Sequence, residues 1–334
     1  MVVQDGAQLL ELMRGYQVPC ILAAAVELDL LENLSVRPRT AAEVATAAGC
    51  DPRGTTIVLD ALAAVGLIVK QDQRYSLSES LALYLCEASD QSVVAMLRHQ
   101  ANCLRRWSRL SWTVRSGVPD LTGPSIRGEE ADTASFIEAM HVISRAIVDP
   151  LIQEIHPGGV RCVLDLGGAS GSWTLAWLRA EPTARAIIFD LPHVIPMARQ
   201  RLAATPFADR VELVPGDFYR DDLPPGADVA WVSAIIHQNS PEQNLALYRR
   251  IAAALEPGGW IYVRDIVLEP SRTAPVAGAL FAVNMLSATA GGNSYSLTDI
   301  REALHAAGFA DVELVRRDEG MHSIVRARMG RRGA

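Results

Sequence analysis

The chain has 334 residues, 49% of them hydrophobic and 21% charged, with 31 Lys and Arg against 38 Asp and Glu for a net charge of -7. That length accommodates a large core and two domains, while the acidic balance argues against a chain-wide attraction to nucleic acid or anionic lipid. Cys20, Cys50, Cys86, Cys103 and Cys162 are scattered without a C-x-x-C pair, which points to reduced thiols and not to a disulfide frame or a zinc site.

At the N-terminus, Asp5 and Glu11 fall where a secretory leader carries positive charge, and the apolar piece "VPCILAAAV" is too short to cross a bilayer. The expectation is a cytoplasmic protein without a membrane span. The next apolar helix, "CILAAAVELDLLENL", suits either a partner subunit or the rest of the chain.

From Thr40 the pattern is helix, helix, hairpin. Thr40 and Glu43 form a capping box before "AAEVATAA", and Gly49 stops that helix. Asp51 caps a second helix with Pro52 at its first position, where a missing N–H costs nothing. Ile57, Val58, Ala61, Leu62 and Val65 then recur at helical spacing up to Gly66. "LIVKQDQRYSLSES" alternates as two short strands around a polar turn, completing a winged-helix pattern. A DNA-binding helix needs cations for phosphates. Between Pro52 and Leu67 there is one base, Arg53, and from Ser35 to Cys86 five bases face five acids, so DNA binding is disfavoured.

The segment Arg98 to Pro157 reads as mostly helical, with Trp107, Trp112, Phe136, Met140 and His141 along it. Such residues either fill a core or wall an apolar ligand pocket.

From Val160 the pattern changes to alternating strands and helices: "VRCVLDLG", "SWTLAWLRA", "ARAIIFD", "IPMARQRLAA", "VELVPGD", then "DVAWVSAII", a helix from Ser240, and "WIYVRDIVL". Short buried strands alternating with helices predict a parallel, doubly wound α/β sheet with its ligand at the C-terminal strand ends. Three such ends carry the signal. "LDLGGASGSW" places Gly167, Gly168 and Gly171 where a backbone must approach a ligand. Asp190 closes "IIFDLP" before Leu191, and its carboxylate suits the two hydroxyls of a ribose. Asp217 closes "VPGDFY", with Phe218 beside it to cover a flat base. The turn lacks G-x-G-x-x-G and no G-K-[ST] loop is present.

This set resembles the S-adenosylmethionine (SAM) site of class I methyltransferases, D-x-G-x-G-x-G at Asp165 to Gly171 with Ala169 in place of the middle glycine. With "FIEAM", "FDLP", "GDF", "LEPGG" and "REALHAAGF", nearly the whole chain resembles the small-molecule O-methyltransferase family that includes caffeic acid and hydroxyindole O-methyltransferases. The resemblance implies a Rossmann-like methyltransferase domain at 159–334, a mainly α winged-helix dimerisation domain at 1–97, and a helical connector at 98–158 lining the substrate pocket. It implies S-adenosylmethionine as methyl donor, S-adenosylhomocysteine as product, a homodimer, and no metal, nucleic acid or membrane.

In that family a histidine after the fourth strand removes the acceptor's proton. His237 matches it, although Gln238 and Asn239 replace the usual Asp-Trp. An imidazole with a pKa of about 6.5 suits a base near neutral pH; the alternative is a residue that merely hydrogen-bonds the helix capped by Ser240. Asp265 matches the carboxylate that orients the histidine, one methylene shorter than the familiar glutamate. A second supporting glutamate has no counterpart in "GGNSYSLTD", and Tyr295 nearby has no assigned role. Ser144 matches a serine near the SAM carboxylate, and Ser233 replaces a lysine beside the adenine. Met140, His141, Asn284 and Met285 match pocket-wall positions, with Trp107 a further substrate-binding candidate, and Ala234 replaces a large aromatic there. The reading is methyl transfer to a hydroxyl of an aromatic or polyketide-like molecule. Carbon or nitrogen methylation, a SAM-binding enzyme that transfers no methyl, and a small-molecule-sensing winged-helix regulator remain alternatives.

Overall fold

In the computed structural model, which describes residues 4–120, 123–168 and 170–330, the early helices start where their caps dictate. The Thr40 hydroxyl accepts the Glu43 N–H at 3.2 Å while the Glu43 carboxylate accepts the Thr40 N–H at 2.7 Å, opening the helix Ala41–Ala48. Gly49 ends it at φ 64°, left-handed backbone that glycine adopts without a Cβ penalty. Asp51 caps Pro52–Ala64, and the strands Ile68–Gln71 and Arg74–Leu77 pair antiparallel, with Arg39–Thr40 added at one edge.

Contacts divide the chain into two units, Met1–Ser108 with Leu121–Ile143, and Arg109–Asp120 with Ser144–Ala334. The segment expected to form a connector, 98–158, is therefore shared: 98–108 and 121–143 fold with the first unit and the rest with the second. In the first unit Leu34, Val44, Leu59, Leu62, Ile68 and Tyr75 share one core. Ala25, Val26, Leu30 and Leu31 join it, so the apolar helix offered to a partner or to the chain is used by the chain. The exposed apolar face lies earlier, at Leu9, Leu10, Met13 and Tyr16. Two successive helices, Gly6–Arg14 and Gln17–Glu27, make Gly6–Glu27 a stretch of 22 residues that reaches membrane-spanning length, and its most apolar 18-residue window has a mean hydropathy of 1.3. The apolar piece "VPCILAAAV" from Val18 is only part of that stretch, which Gly6–Arg14 extends toward the N-terminus.

The second unit is built on seven strands: β1 (Cys162–Leu166), β2 (Arg185–Asp190), β3 (Val211–Pro215), β4 (Ala227–Ser233), β5 (Leu255–Asp265), β6 (Phe309–Arg316) and β7 (Ser323–Met329), in the order β6-β7-β5-β4-β1-β2-β3. Strands β1 to β5 run parallel and β7 is antiparallel to both neighbours. The intervening helices are α1 (Val148–Ile155), α2 (Ser172–Ala180), α3 (Ile195–Ala203), α4 (Pro241–Ala254), α5 (Val276–Ala288) and α6 (Leu297–Ala306). Successive side chains of β4 and β5 enter opposite cores: Val232, Ile261 and Val263 pack with α4 residues, Trp231 and Tyr262 with Trp177 of α2. Burial on both faces explains why these strands read as continuous apolar runs. The doubly wound α/β class expected from the sequence is the one observed. Strand order reverses between β4 and β1, placing the ends of β1, β2 and β4 at the switch point where such sheets bind ligands.

Candidate active site

His237 sits in a short 3-10 turn, Ile236–Gln238, between β4 and α4. Its Nδ1 lies 2.9 and 3.0 Å from the two carboxylate oxygens of Asp265, at the end of the adjacent strand β5. Asp265 is buried and also accepts the Ile266 N–H at 2.8 Å. A carboxylate only accepts, so this geometry puts the imidazole proton on Nδ1 and the lone pair on Nε2. Among the described residues Nε2 has no hydrogen-bond partner, and 12% of the side chain is exposed. Phe281 of α5 meets the ring edge-on, at 4.8 Å between centroids.

The residues that replace the expected Asp-Trp stabilise this turn. Asn239 is completely buried; its Oδ1 accepts the Tyr219 hydroxyl and its Nδ2 donates to Asn244 at 2.9 Å. Asn244 in turn donates to the Ile236 carbonyl at 2.9 Å, and Gln238 donates to the Tyr219 oxygen at 3.2 Å. The capping box at Ser240 and Gln243 starts α4 as its sequence predicts. On the other side Ala234 holds φ 58°, a strained conformation for a residue with a Cβ, while its N–H donates to the Arg264 carbonyl at 2.8 Å.

The strand ends converge beside this turn. A Cβ on Gly167 would stand 3.2 Å from Ile235 and 3.9 Å from Phe218, so the ends of β1, β3 and β4 meet there. A Cβ on Gly168 would lie 2.9 Å from the Asp165 carboxyl, and one on Gly216 2.3 Å from the Phe189 ring. Gly171 stands at φ 70° before α2. Ala169 lies outside the described residues. Asp190 is buried at the end of β2, with one oxygen accepting the Leu191 N–H at 2.7 Å. Asp217 accepts the Tyr219 N–H at 2.9 Å, capping the turn that presents Phe218. A close-approach backbone, a carboxylate suited to a diol and an aromatic ring on neighbouring strand ends fit a nucleoside ligand.

Asp165 is enclosed, accepting the Thr174 hydroxyl at 2.6 Å; burial pushes its pKa up to about 7, Thr174 opposing and the Asp190 charge adding to the rise. Ser233 accepts from Arg264, its register neighbour on β5, at 2.5 Å. The Arg264 guanidinium is buried, stacks 4.6 Å over Trp173, and burial lowers its pKa to about 10. A guanidinium thus stands where the sequence offered only a hydroxyl.

The remaining predicted positions divide between units. Asn284 and Met285 lie on α5, near Phe281 and in the same unit as His237. Ser144 is buried in that unit too. Trp107, Met140 and His141 belong to the first unit, on helices Val94–Trp107 and Glu129–Ser144. Sequence reading missed Phe281, Arg264 and Thr174. Thr174 lies in the first turn of α2 and was visible as a polar residue in an otherwise apolar stretch, but Phe281 gave no signal beyond its hydrophobicity.

Comparison with known proteins agrees with the geometry. An O-methyltransferase domain model matches residues 107–310, and an O-methyltransferase dimerisation domain model matches 10–86. The chain is 31% identical over 318 residues to the tetracenomycin polyketide synthesis 8-O-methyl transferase of Streptomyces glaucescens, covering 93% of each chain. It is 29% identical over 313 residues to the 3-hydroxy-5-methyl-1-naphthoate 3-O-methyltransferase of Streptomyces sahachiroi, covering 92% of this chain and 90% of that one. Human N-acetylserotonin methyltransferase, solved in complex with SAM, shares the fold with a TM-score of 0.81 at 24% identity, over 99% of each chain.

Proposed function

The chain belongs to the O-methyltransferase family and is a SAM-dependent O-methyltransferase; from that premise we propose that it methylates a hydroxyl of an aromatic or polyketide-like small molecule, with His237 as general base. The acceptor class follows the naphthoate and tetracenomycin enzymes it is similar to. The observation that carries the base assignment is the His237–Asp265 pair, with Nδ1 held at 2.9 Å and Nε2 left to receive a proton.

S-adenosylmethionine, when bound, supplies an electrophilic methyl group, so the protein's work is alignment and proton removal. Gly167, Gly168 and Gly171 let the backbone approach the donor, Asp190 and Leu191 take its ribose side, and Asp217 and Phe218 its base. Ser144 and Ser233, the latter with Arg264 behind it, complete the polar contacts. At Nε2, His237 accepts the hydroxyl proton as the oxygen becomes nucleophilic, and Asp265 stabilises the imidazolium through Nδ1. A phenol pKa of roughly 10 makes such assistance useful at neutral pH. Phe281, Asn284 and Met285 face the acceptor from α5.

The dimerisation-domain match supports a homodimer formed through the N-terminal region. Leu9, Leu10, Met13 and Tyr16, exposed on Gly6–Glu27, then form part of a protein interface, consistent with a cytoplasmic winged-helix dimer. Glu11 and Arg14 on the same stretch fit that use better than a bilayer.

Calorimetric binding of S-adenosylhomocysteine, followed by a screen of hydroxylated naphthoates and polycyclic phenols with mass detection of methyl ethers, tests the function. Methyl-ether formation from one of these classes supports it; binding without ether formation from any phenol overturns the acceptor assignment.

A further inference from the structure

We propose that the loop Gly291–Tyr295 is a positioning element for His237, holding the turn that carries the imidazole by its backbone; this rests on His237 as the base. Two hydrogen bonds flank the histidine. The Asn293 N–H donates to the His237 carbonyl at 2.9 Å, and the buried Tyr295 hydroxyl donates to the Asn239 carbonyl.

The glycines show how closely the loop lies against the turn. A Cβ on Gly292 would stand 2.5 Å from the His237 carbonyl oxygen and 2.3 Å from Thr289 Oγ1, and one on Gly291 would stand 2.9 Å from Ser240 Cβ. Neither glycine has left-handed backbone, so what the positions demand is space, not conformational freedom. The Gly292 N–H donates to Thr289 Oγ1 at 2.9 Å, and Thr289 Oγ1 donates to the Met285 carbonyl at 2.8 Å, tying the loop to the end of α5.

Packing alone does not hold this side of the turn. A cavity of about 500 Å³ borders it, with Ile236, Asn244, Asn293 and Tyr295 among its walls. The hydrogen bonds from Asn293 and Tyr295 therefore join that from Asn244 to the Ile236 carbonyl in setting where the turn stands. Burial, with the Glu242, Asp299 and Asp265 charges, pushes the Tyr295 pKa up to about 12, which keeps its hydroxyl a donor throughout the working pH range. Asp265 and Phe281 limit rotation of the imidazole, but the distance of Nε2 from an acceptor oxygen follows the backbone.

The test compares Gly292→Ala and Tyr295→Phe with wild type in kcat, KM, S-adenosylhomocysteine affinity by calorimetry, and the downfield proton resonance of His237 Nδ1–H, assigned by its loss in His237→Gln. Misplacement by about 1 Å costs about a hundredfold in rate. We expect that loss in kcat for Gly292→Ala and about a tenfold loss for Tyr295→Phe, with cofactor affinity within about twofold of wild type and the resonance displaced in both. Wild-type kcat with an unmoved resonance in Tyr295→Phe overturns the proposal, and that variant decides if Gly292→Ala does not fold. Loss of cofactor affinity in step with kcat overturns it as well, since the loop would then support the whole unit. Full turnover by His237→Ala would instead overturn the base reading, and the resonance alone would then show whether the loop positions the ring.

Discussion

Asp265 reaches His237 from the neighbouring strand and fixes its Nδ1 at 2.9 Å. The pairing follows from topology: β4 and β5 run parallel with Ser233 opposite Arg264, so the residue after Arg264 meets the turn that follows Ser233. Asp265→Asn should leave the fold intact but offer Nδ1 an amide that can hold the wrong tautomer. We expect kcat to fall about a thousandfold, within the range for loss of a general base, with S-adenosylhomocysteine affinity retained. A loss below about threefold would mean that the carboxylate does not support the base.

Asp190 is expected to carry donor affinity and not the chemical step. Removing charge-assisted hydrogen bonds costs about 1.5–3 kcal/mol, roughly ten- to a hundredfold in Kd, and calorimetry with Asp190→Asn should show that loss. Unchanged affinity would place the donor's hydroxyls elsewhere.

Gly216→Ala tests the packing beneath the nucleoside site. The new Cβ would lie 2.3 Å from the Phe189 ring, and overpacking of this kind costs about 1–3 kcal/mol. Chemical denaturation should show a loss of that size together with weaker S-adenosylhomocysteine binding. Wild-type stability would mean that Phe189 moves aside freely.

Asp165 makes the fold pH-dependent. Its carboxyl keeps its proton in the folded state up to about 7, against 3.8 for an ordinary aspartate, so between those values the folded state binds more protons than the unfolded one. The stability it contributes is full below the unfolded pKa and is lost as pH rises through about 7. Asp165→Asn keeps an acceptor for Thr174 and should flatten this part of the Tm against pH curve relative to wild type. Parallel curves would show that Asp165 is ionised in the folded protein.

Much of this architecture is legible in the sequence because local and global signals agree. The capping boxes at Thr40 and Ser240, the stop at Gly49, and the apolar runs of β1, β2, β4 and β5 all stand where expected. Glycine and aspartate at strand ends are legible for the same reason: few other residues tolerate those positions. Arg264 and Phe281 were not legible, since each acts through a neighbour in space that no local pattern reveals. Neither was the role of Tyr295, which becomes clear only when its hydroxyl is found on the Asn239 carbonyl, 56 residues away in sequence. The exposed apolar face was not legible for a related reason. Residues after Cys20 pack into the core of their unit, whereas Leu9, Leu10, Met13 and Tyr16 are left exposed by the described residues.

The most direct measurement is single-turnover transfer of a labelled methyl group from S-adenosylmethionine to a hydroxylated aromatic acceptor by His237→Ala, with donor affinity of the same sample measured by calorimetry. The account predicts retained donor binding and a transfer rate lowered by about a hundred- to ten-thousandfold. Transfer at the wild-type rate with donor bound would contradict it, and would show that His237 is not the base that takes the acceptor's proton.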